Sequence, residues 1–261
     1  TFDDIEYGLS LGMTNKFPKH SIAFKWKDET VETKLLSIDW NTSRTGLINP
    51  IAVFEPVEIE GTTVSRASLH NISIMEKLKL GIGDQIEVFK ANMIIPQVAN
   101  NITCSNNFEI PNKCNVCNHE TLIKENNNVK YLYCTNELCR AKLIKRLSLF
   151  TSRNAMNIDG ISDQILSKLI NEGLINEYAD IYHLNEHKEK IINFEGFKDK
   201  SYNNMINNIE KSRKVKIANF IYSLGISEIG LSRAKLICAH CNNDINKITH
   251  ITFEELSEID G

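Results

Sequence analysis

Four cysteines carry the clearest chemistry in this chain. Cys114-Asn115-Val116-Cys117 and Cys134-Thr135-Asn136-Glu137-Leu138-Cys139 form two close pairs joined by a short insert. Thiolates at this spacing suit a tetrahedral zinc ion, each pair closing a tight turn on one side of the metal. With four sulfur ligands no position is left for water, so the Zn2+ is expected to be structural. It would fold a stretch too small to hold its own core. The alternative is a set of buried or disulfide-linked thiols. Neither a signal peptide nor a long apolar run points to an oxidising compartment or a membrane, so a reduced, cytoplasmic setting is expected. Between the pairs, Asn126-Asn127-Asn128 reads as the turn of a hairpin, with Leu122 and Ile123 on one arm and Tyr131 to Tyr133 on the other. Cys238-Ala239-His240-Cys241 repeats the tighter spacing without a second pair, and core thiols are the simpler reading.

A second set of residues is suited to phosphate. Lys25 interrupts the apolar run Ser21 to Trp26, either as an edge residue in solvent or as a cation in a pocket wall. Arg44 and Thr45 occupy the turn Ser43-Arg44-Thr45-Gly46, and Lys90 is read as lying just after a strand. Arg140, Lys142, Lys145, Arg146 and Arg153 form a basic run without an acid, and Lys211, Arg213, Lys214 and Lys216 form another. The chain has 261 residues and a formal net charge of -3, so any nucleic-acid footprint is local.

These groups need elements to position them. From Val31 to about Thr103, short alternating runs are broken by Gly46, Pro50, Pro56 and Gly61 and by one helix, His70 to Leu80. That pattern predicts a small all-β barrel of the OB type, closed by the turn Gly81-Ile82-Gly83-Asp84. After the cysteines the chain turns helical. Leu143, Ile144, Leu147 and Phe150 define a buried face, with Lys142, Lys145 and Arg146 on or near the other.

A motif then recurs: a glycine between apolar residues, followed by a helix. It is seen at Ile158-Asp159-Gly160-Ile161, at Phe194-Glu195-Gly196-Phe197 and across Ser223 to Leu231, which includes Gly230; Glu258 to Gly261 resembles a fourth copy cut short. Glycine permits the turn, and the amides opening the next helix can meet a phosphate without reading bases. This is helix-hairpin-helix logic, against the plainer reading of a helical array for protein contacts. The expected fold is thus multidomain: an all-β OB barrel, a small four-cysteine zinc finger and an all-α helix-hairpin-helix array. The expected boundaries are 1–28, 29–105, 106–142 and 143–261.

In this order the parts closely resemble bacterial NAD-dependent DNA ligases. Leu11 to Pro18 and Ser21 to Trp26 look like the end of the family's adenylation (nucleotidyltransferase) domain. Ser43 to Gly46, Pro50-Ile51-Ala52, Glu55-Pro56-Val57 and Val64 to Asn71 resemble its OB signatures. Lys90-Ala91-Asn92-Met93-Ile94-Ile95-Pro96 matches its basic-then-IIP segment, with Asn92-Met93 where Gly-Asp is commoner. The resemblance implies that Lys25 is catalytic and contacts the nucleotide phosphate. It implies that Arg44, Thr45 and Lys90 face nicked double-stranded DNA, with Arg146, Gly160, Gly196 and Gly230 on its backbone. It further implies a monomeric, cytoplasmic, nucleoid-associated enzyme of replication and repair. That enzyme would use NAD and Mg2+ to seal nicks through an adenylated intermediate. The Lys-x-Asp-Gly nucleophile motif is absent from these 261 residues. NAD would therefore be met through domains outside the chain, which is expected to be inactive alone. A non-enzymatic repair or recombination mediator is the alternative, and an RNA-binding OB protein a weaker one.

Overall fold

The computed structural model describes residues 3–14, 16–22 and 29–259; Lys25 and the end of the fourth glycine motif lie outside them. After a short helix α1 (Ile5–Ser10), the chain divides into two compact units. The first comprises residues 1–39, 51–69 and 74–108, and the second residues 40–50, 70–73 and 109–261.

The first unit holds β3 (Thr62–Ser68), β4 (Gln85–Ala91) and β5 (Ile95–Asn101) with most of β1 (Val31–Thr42), β2 (Leu47–Ile59) and α2 (Ile72–Lys77), of which residues 40–42, 47–50 and 72–73 belong to the second. The strand order is β1-β4-β5-β3-β2, and a β1–β2 pairing closes the ring into a five-stranded barrel. Closure removes the unpaired edges that an open sheet presents. The β3–β5 pairing is parallel, whereas β1–β4, β4–β5 and β2–β3 are antiparallel. Leu35, Phe54, Leu69, Leu80, Ile86 and Val88 fill the interior. Pro50 and Pro56, expected in turns, lie inside the long strand β2, and Pro56 falls where the β2–β3 register shifts between Val53 and Val57. An irregularity of this kind tolerates a residue that cannot donate to the ladder. The helix is shorter than His70 to Leu80, because His70 and Lys79 both adopt left-handed backbone (φ 59° and 47°).

In the second unit, β6 (Thr121–Asn126) and β7 (Val129–Cys134) form a hairpin. Its two-residue turn, Asn127-Asn128, has both residues left-handed (φ 50° and 62°), a conformation asparagine accepts. The start of β2 pairs with β7 through Leu47↔Tyr133 and Ile48↔Leu132. The helices follow: α3 (Arg140–Thr151), α4 (Asp163–Asn171), a 3-10 segment (Ala179–His187), α5 (Lys188–Ile191), α6 (Asp199–Ser212), α7 (Ile217–Ser223), α8 (Leu231–His240), α9 (Ile245–His250) and α10 (Phe253–Ser257). One core joins Leu147 and Phe150 of α3 with Leu166, Leu169, Ile181 and Met205. A smaller core joins Ala218 and Ile221 of α7 to Ala234 and Cys238 of α8.

Glycine turns separate α3 from α4 and α5 from α6, with Gly160 at φ 98° and Gly196 at φ 79°. Each glycine precedes the cap of the next helix by two residues; the caps are Ser162 and Lys198. Before α8 the same place belongs to Glu228 (φ 63°), and Gly230 is the cap itself, with an ordinary φ of -78°. The two glycines are therefore expected to respond differently to substitution. Gly160→Ala meets no close atom, because Met205 lies 3.7 Å from the added carbon, but the left-handed backbone costs about 1–2 kcal/mol. Gly230→Ser is expected to be neutral or stabilising, because serine supplies the capping acceptor that α8 lacks. Urea unfolding of the two variants checks this. Equal stability losses would contradict it.

Candidate functional site

The hairpin and the start of α3 bring the four predicted cysteines together. Cys114 and Cys117 precede β6, Cys134 ends β7 and Cys139 is the N-cap of α3. A tight turn carries the first pair: the Asn118 amide donates to the Cys114 carbonyl at 2.9 Å, and Asn118 is left-handed at φ 59°. All four sulfurs lie within 4.8 Å of one another; Cys114 and Cys139 are 3.9 Å apart, and Cys117 and Cys134 are 3.5 Å apart. A tetrahedral zinc ion with bonds of about 2.3 Å separates its sulfurs by about 3.8 Å, so the cluster fits that ion. No disulfide joins any two of the cysteines.

The electrostatics also call for a cation. Burial acts to raise the Cys114 thiol, but the amides of Cys117 and Val116 and the Thr42 hydroxyl outweigh it and bring it down to about 6. Burial pushes Cys134 up to about 12, and its neighbouring thiols add to the rise. Burial also raises Cys139, against the amides of Ala141 and Lys142. One thiolate forms readily and makes the others harder to form. A divalent ion removes that conflict by neutralising all four.

The knot is tied to the turn that carries Arg44. The Cys134 amide donates to the Gly46 carbonyl at 2.8 Å, and the Asn115 side chain donates to the Trp40 carbonyl at 2.7 Å. Lys142 of α3, expected on the solvent side, is buried beside Gly46, with the exposed Glu137 as its ion-pair partner at 3.3 Å.

The predicted phosphate contacts divide into distinct groups. Arg44 and Thr45 are exposed, and the Thr45 hydroxyl lies 3.1 Å from that of Ser43. Arg146 is exposed on α3. Gly160 and Gly196 are exposed at left-handed turns, whereas Gly230 is exposed at a helix cap. Lys90 differs from expectation: it lies within β4, only 6% exposed, and its ammonium donates to the Ile59 carbonyl at 2.8 Å and to the Thr62 hydroxyl. The alternation Ile86, Val88, Lys90 points inward along β4, and extending that period by one step would have shown it.

Arg153 ends the basic run that starts at Arg140. With Ser148, Thr151, Ser152 and Ser162 it lines a hollow of about 440 Å³ at the Gly160 turn. Among the described residues, Arg44, Arg146 and Arg153 have no hydrogen-bond or ion-pair partner, whereas Lys145 is paired with Asp163 at 2.5 Å. Arginines left unpaired beside hydroxyls and open amides can bind phosphate oxygens.

A closed five-stranded barrel places the chain among OB-fold proteins. Residues 32–108 match the NAD-dependent DNA ligase OB-fold domain. The chain is 57% identical over 99% of its length to the DNA ligase of Lachnoclostridium phytofermentans and 57% identical over its whole length to that of Ruminiclostridium cellulolyticum. It is 38% identical over 99% of its length to the DNA ligase of Bacillus licheniformis. The chain belongs to the NAD-dependent DNA ligase family. It spans 40%, 40% and 39% of the length of these three relatives. None of the described helices is long and apolar enough to cross a membrane.

Proposed function

We propose that this chain is the DNA-binding portion of an NAD-dependent DNA ligase that seals nicks between a 5′-phosphate and a 3′-hydroxyl in replication and repair. The observation that carries the reading is the set of unpaired arginines, Arg44, Arg146 and Arg153, in the same unit as the left-handed glycine turns. The glycine-turn helix pairs act as helix-hairpin-helix elements, whose opening amides hold the phosphate backbone without reading sequence. The four cysteines act as a zinc finger. Its metal fixes the start of α3 and, through the Cys134 amide, the turn bearing Arg44.

In the intact enzyme, NAD supplies the adenylyl group and Mg2+ offsets charge on the reacting phosphates. Lys25 contacts the nucleotide phosphate, and the remaining residues of this chain hold the duplex. Without the nucleophile motif, the chain by itself transfers no adenylyl group. It works as part of a monomer in the cytoplasm, at the nucleoid.

A binding titration against a nicked duplex tests the reading. The logarithm of the association constant is expected to fall linearly with the logarithm of salt concentration. Replacing Arg44, Arg146 and Arg153 together by alanine should reduce that slope by about 3, at about 0.9 per phosphate contact. A slope unchanged by the triple substitution would refute the assignment of these arginines.

A further inference from the structure

The side chain of Arg44 does not simply project into solvent. It crosses to the turn between α7 and α8, where a carbon added at Gly225 would lie 3.6 Å from the Arg44 Nε and 3.8 Å from its Cδ. The same carbon would lie 2.9 Å from the end of Leu149. Gly225 is left-handed (φ 65°), and its amide donates to the Tyr222 carbonyl at 3.1 Å. The preceding carbonyl, of Leu224, accepts from the Tyr178 hydroxyl at 3.5 Å. On the other side, Arg44 starts from a turn held by the Gly46 amide on the Ser43 carbonyl and by the Cys134 amide on the Gly46 carbonyl. Both ends of the contact are therefore fixed.

We propose that Gly225 is a positioning residue for Arg44: with no bulky side chain of its own it leaves room for the arginine stem to lie against the turn, so that the unpaired guanidinium is already ordered when a DNA phosphate arrives. The inference rests on the DNA-binding role proposed above. A long side chain loses rotamer freedom on meeting its ligand, and a seat in the free protein removes much of that loss. Arginine suits the arrangement because its planar fork, once oriented, meets phosphate oxygens with two bonds. The aliphatic part of the chain needs only a surface without a bulky side chain, and Gly225 provides one.

The test separates the seat from the backbone that forms it. Asparagine accepts the left-handed conformation but carries an amide beyond a carbon that would already touch Arg44. Alanine strains the backbone and its methyl displaces the flexible end of Leu149, yet it meets Arg44 only at ordinary contact distance. In the full-length protein, Arg44→Ala is expected to weaken binding to a nicked duplex by roughly tenfold and to reduce the salt slope by about 0.9. Gly225→Asn should reproduce that slope change, Gly225→Ala should not, and Arg44→Ala combined with Gly225→Asn should bind no worse than Arg44→Ala.

If Gly225→Asn leaves the slope intact while Arg44→Ala lowers it, the seat is refuted and the DNA reading stands. If Arg44→Ala changes neither affinity nor slope, the DNA role of this turn fails, and the seat with it. Equal effects of alanine and asparagine would trace the loss to backbone strain and refute the seat. Nitrogen-15 relaxation at the Arg44 Nε in the unmodified protein needs no variant. An order parameter above about 0.6 is expected, and a freely mobile side chain overturns the proposal.

Discussion

Cys134→Ser is expected to abolish metal binding and to unfold the knot, leaving the intact protein with less than one equivalent of zinc. Binding of a structural zinc ion contributes about 10–16 kcal/mol, comparable with or larger than the whole stability of a small domain, about 5–15 kcal/mol. A segment held by four sulfurs cannot keep its geometry on three. The consequences should extend beyond the metal. Cys134 ends β7, its amide holds Gly46, and the buried cluster around it includes Ile48, Ile72 and Leu132. Limited proteolysis should therefore cut between residues 109 and 139, and affinity for nicked DNA should fall with it. Zinc content and proteolytic pattern can be read from the same preparation. Full metal occupancy with an unchanged digestion pattern would show that Cys134 is not a ligand of the metal.

Asp84→Ala is expected to be the most damaging single change in the barrel unit. Asp84 is 1% exposed, and its carboxylate accepts from the Asn101 side chain at 2.7 Å and from the Ser105 amide at 3.3 Å. It thereby ties the turn before β4 to the end of β5. Hydrogen bonds to a buried charge contribute about 1.5–3 kcal/mol each, and their donors would be left in a closed environment, so a loss of about 3 kcal/mol follows.

Burial acts to raise the Asp84 carboxyl, but the Ser105 hydroxyl, the Asn101 amide and the backbone amides of Ser105 and Gly81 together hold it below the usual carboxylate range. A carboxyl whose folded value lies below its unfolded one contributes stability above about pH 4, the unfolded value. That contribution is lost as the pH falls through the folded value. The difference between wild type and Asp84→Ala should therefore be full at pH 7 and shrink in acid. Urea unfolding at both pH values measures it. A difference that grew on acidification would overturn the assignment.

The same turn shows why parts of this fold are legible from sequence. Gly81-Ile82-Gly83-Asp84 marks a barrel closure because glycine and aspartate have local reasons to sit in turns. A carbon added at Gly81 would overlap the Ser105 hydroxyl and lie 2.9 Å from the Asn107 amide, so the turn is closely packed as well as bent. The cysteine spacing, the asparagine turn and the alternating strands are legible for the same reason. Each is a local constraint written in adjacent residues.

What residue type alone could not supply is which cations lie inside. Lys142 and Lys90 are ordinary surface cations by composition, yet both are buried. For Lys142 the reason lies across the chain, in the bare Gly46 that leaves room for its stem. For Lys90 it lies in the β2–β3 turn, whose Ile59 carbonyl and Thr62 hydroxyl take up the ammonium. The third helix pair makes the same point in backbone terms. Its left-handed position belongs to Glu228, and the glycine that catches the eye is a helix cap.

The sequence by itself determined the chemical groups and their local geometry: four thiolates at zinc spacing, a barrel's alternation, and glycine turns before helices. Only the tertiary structure decided which cations remain unpaired, because pairing and burial depend on residues far apart in the chain. Among the described residues Arg44, Arg146 and Arg153 have no hydrogen-bond or ion-pair partner, while Lys90, Lys142 and Lys145 are taken up by the protein itself.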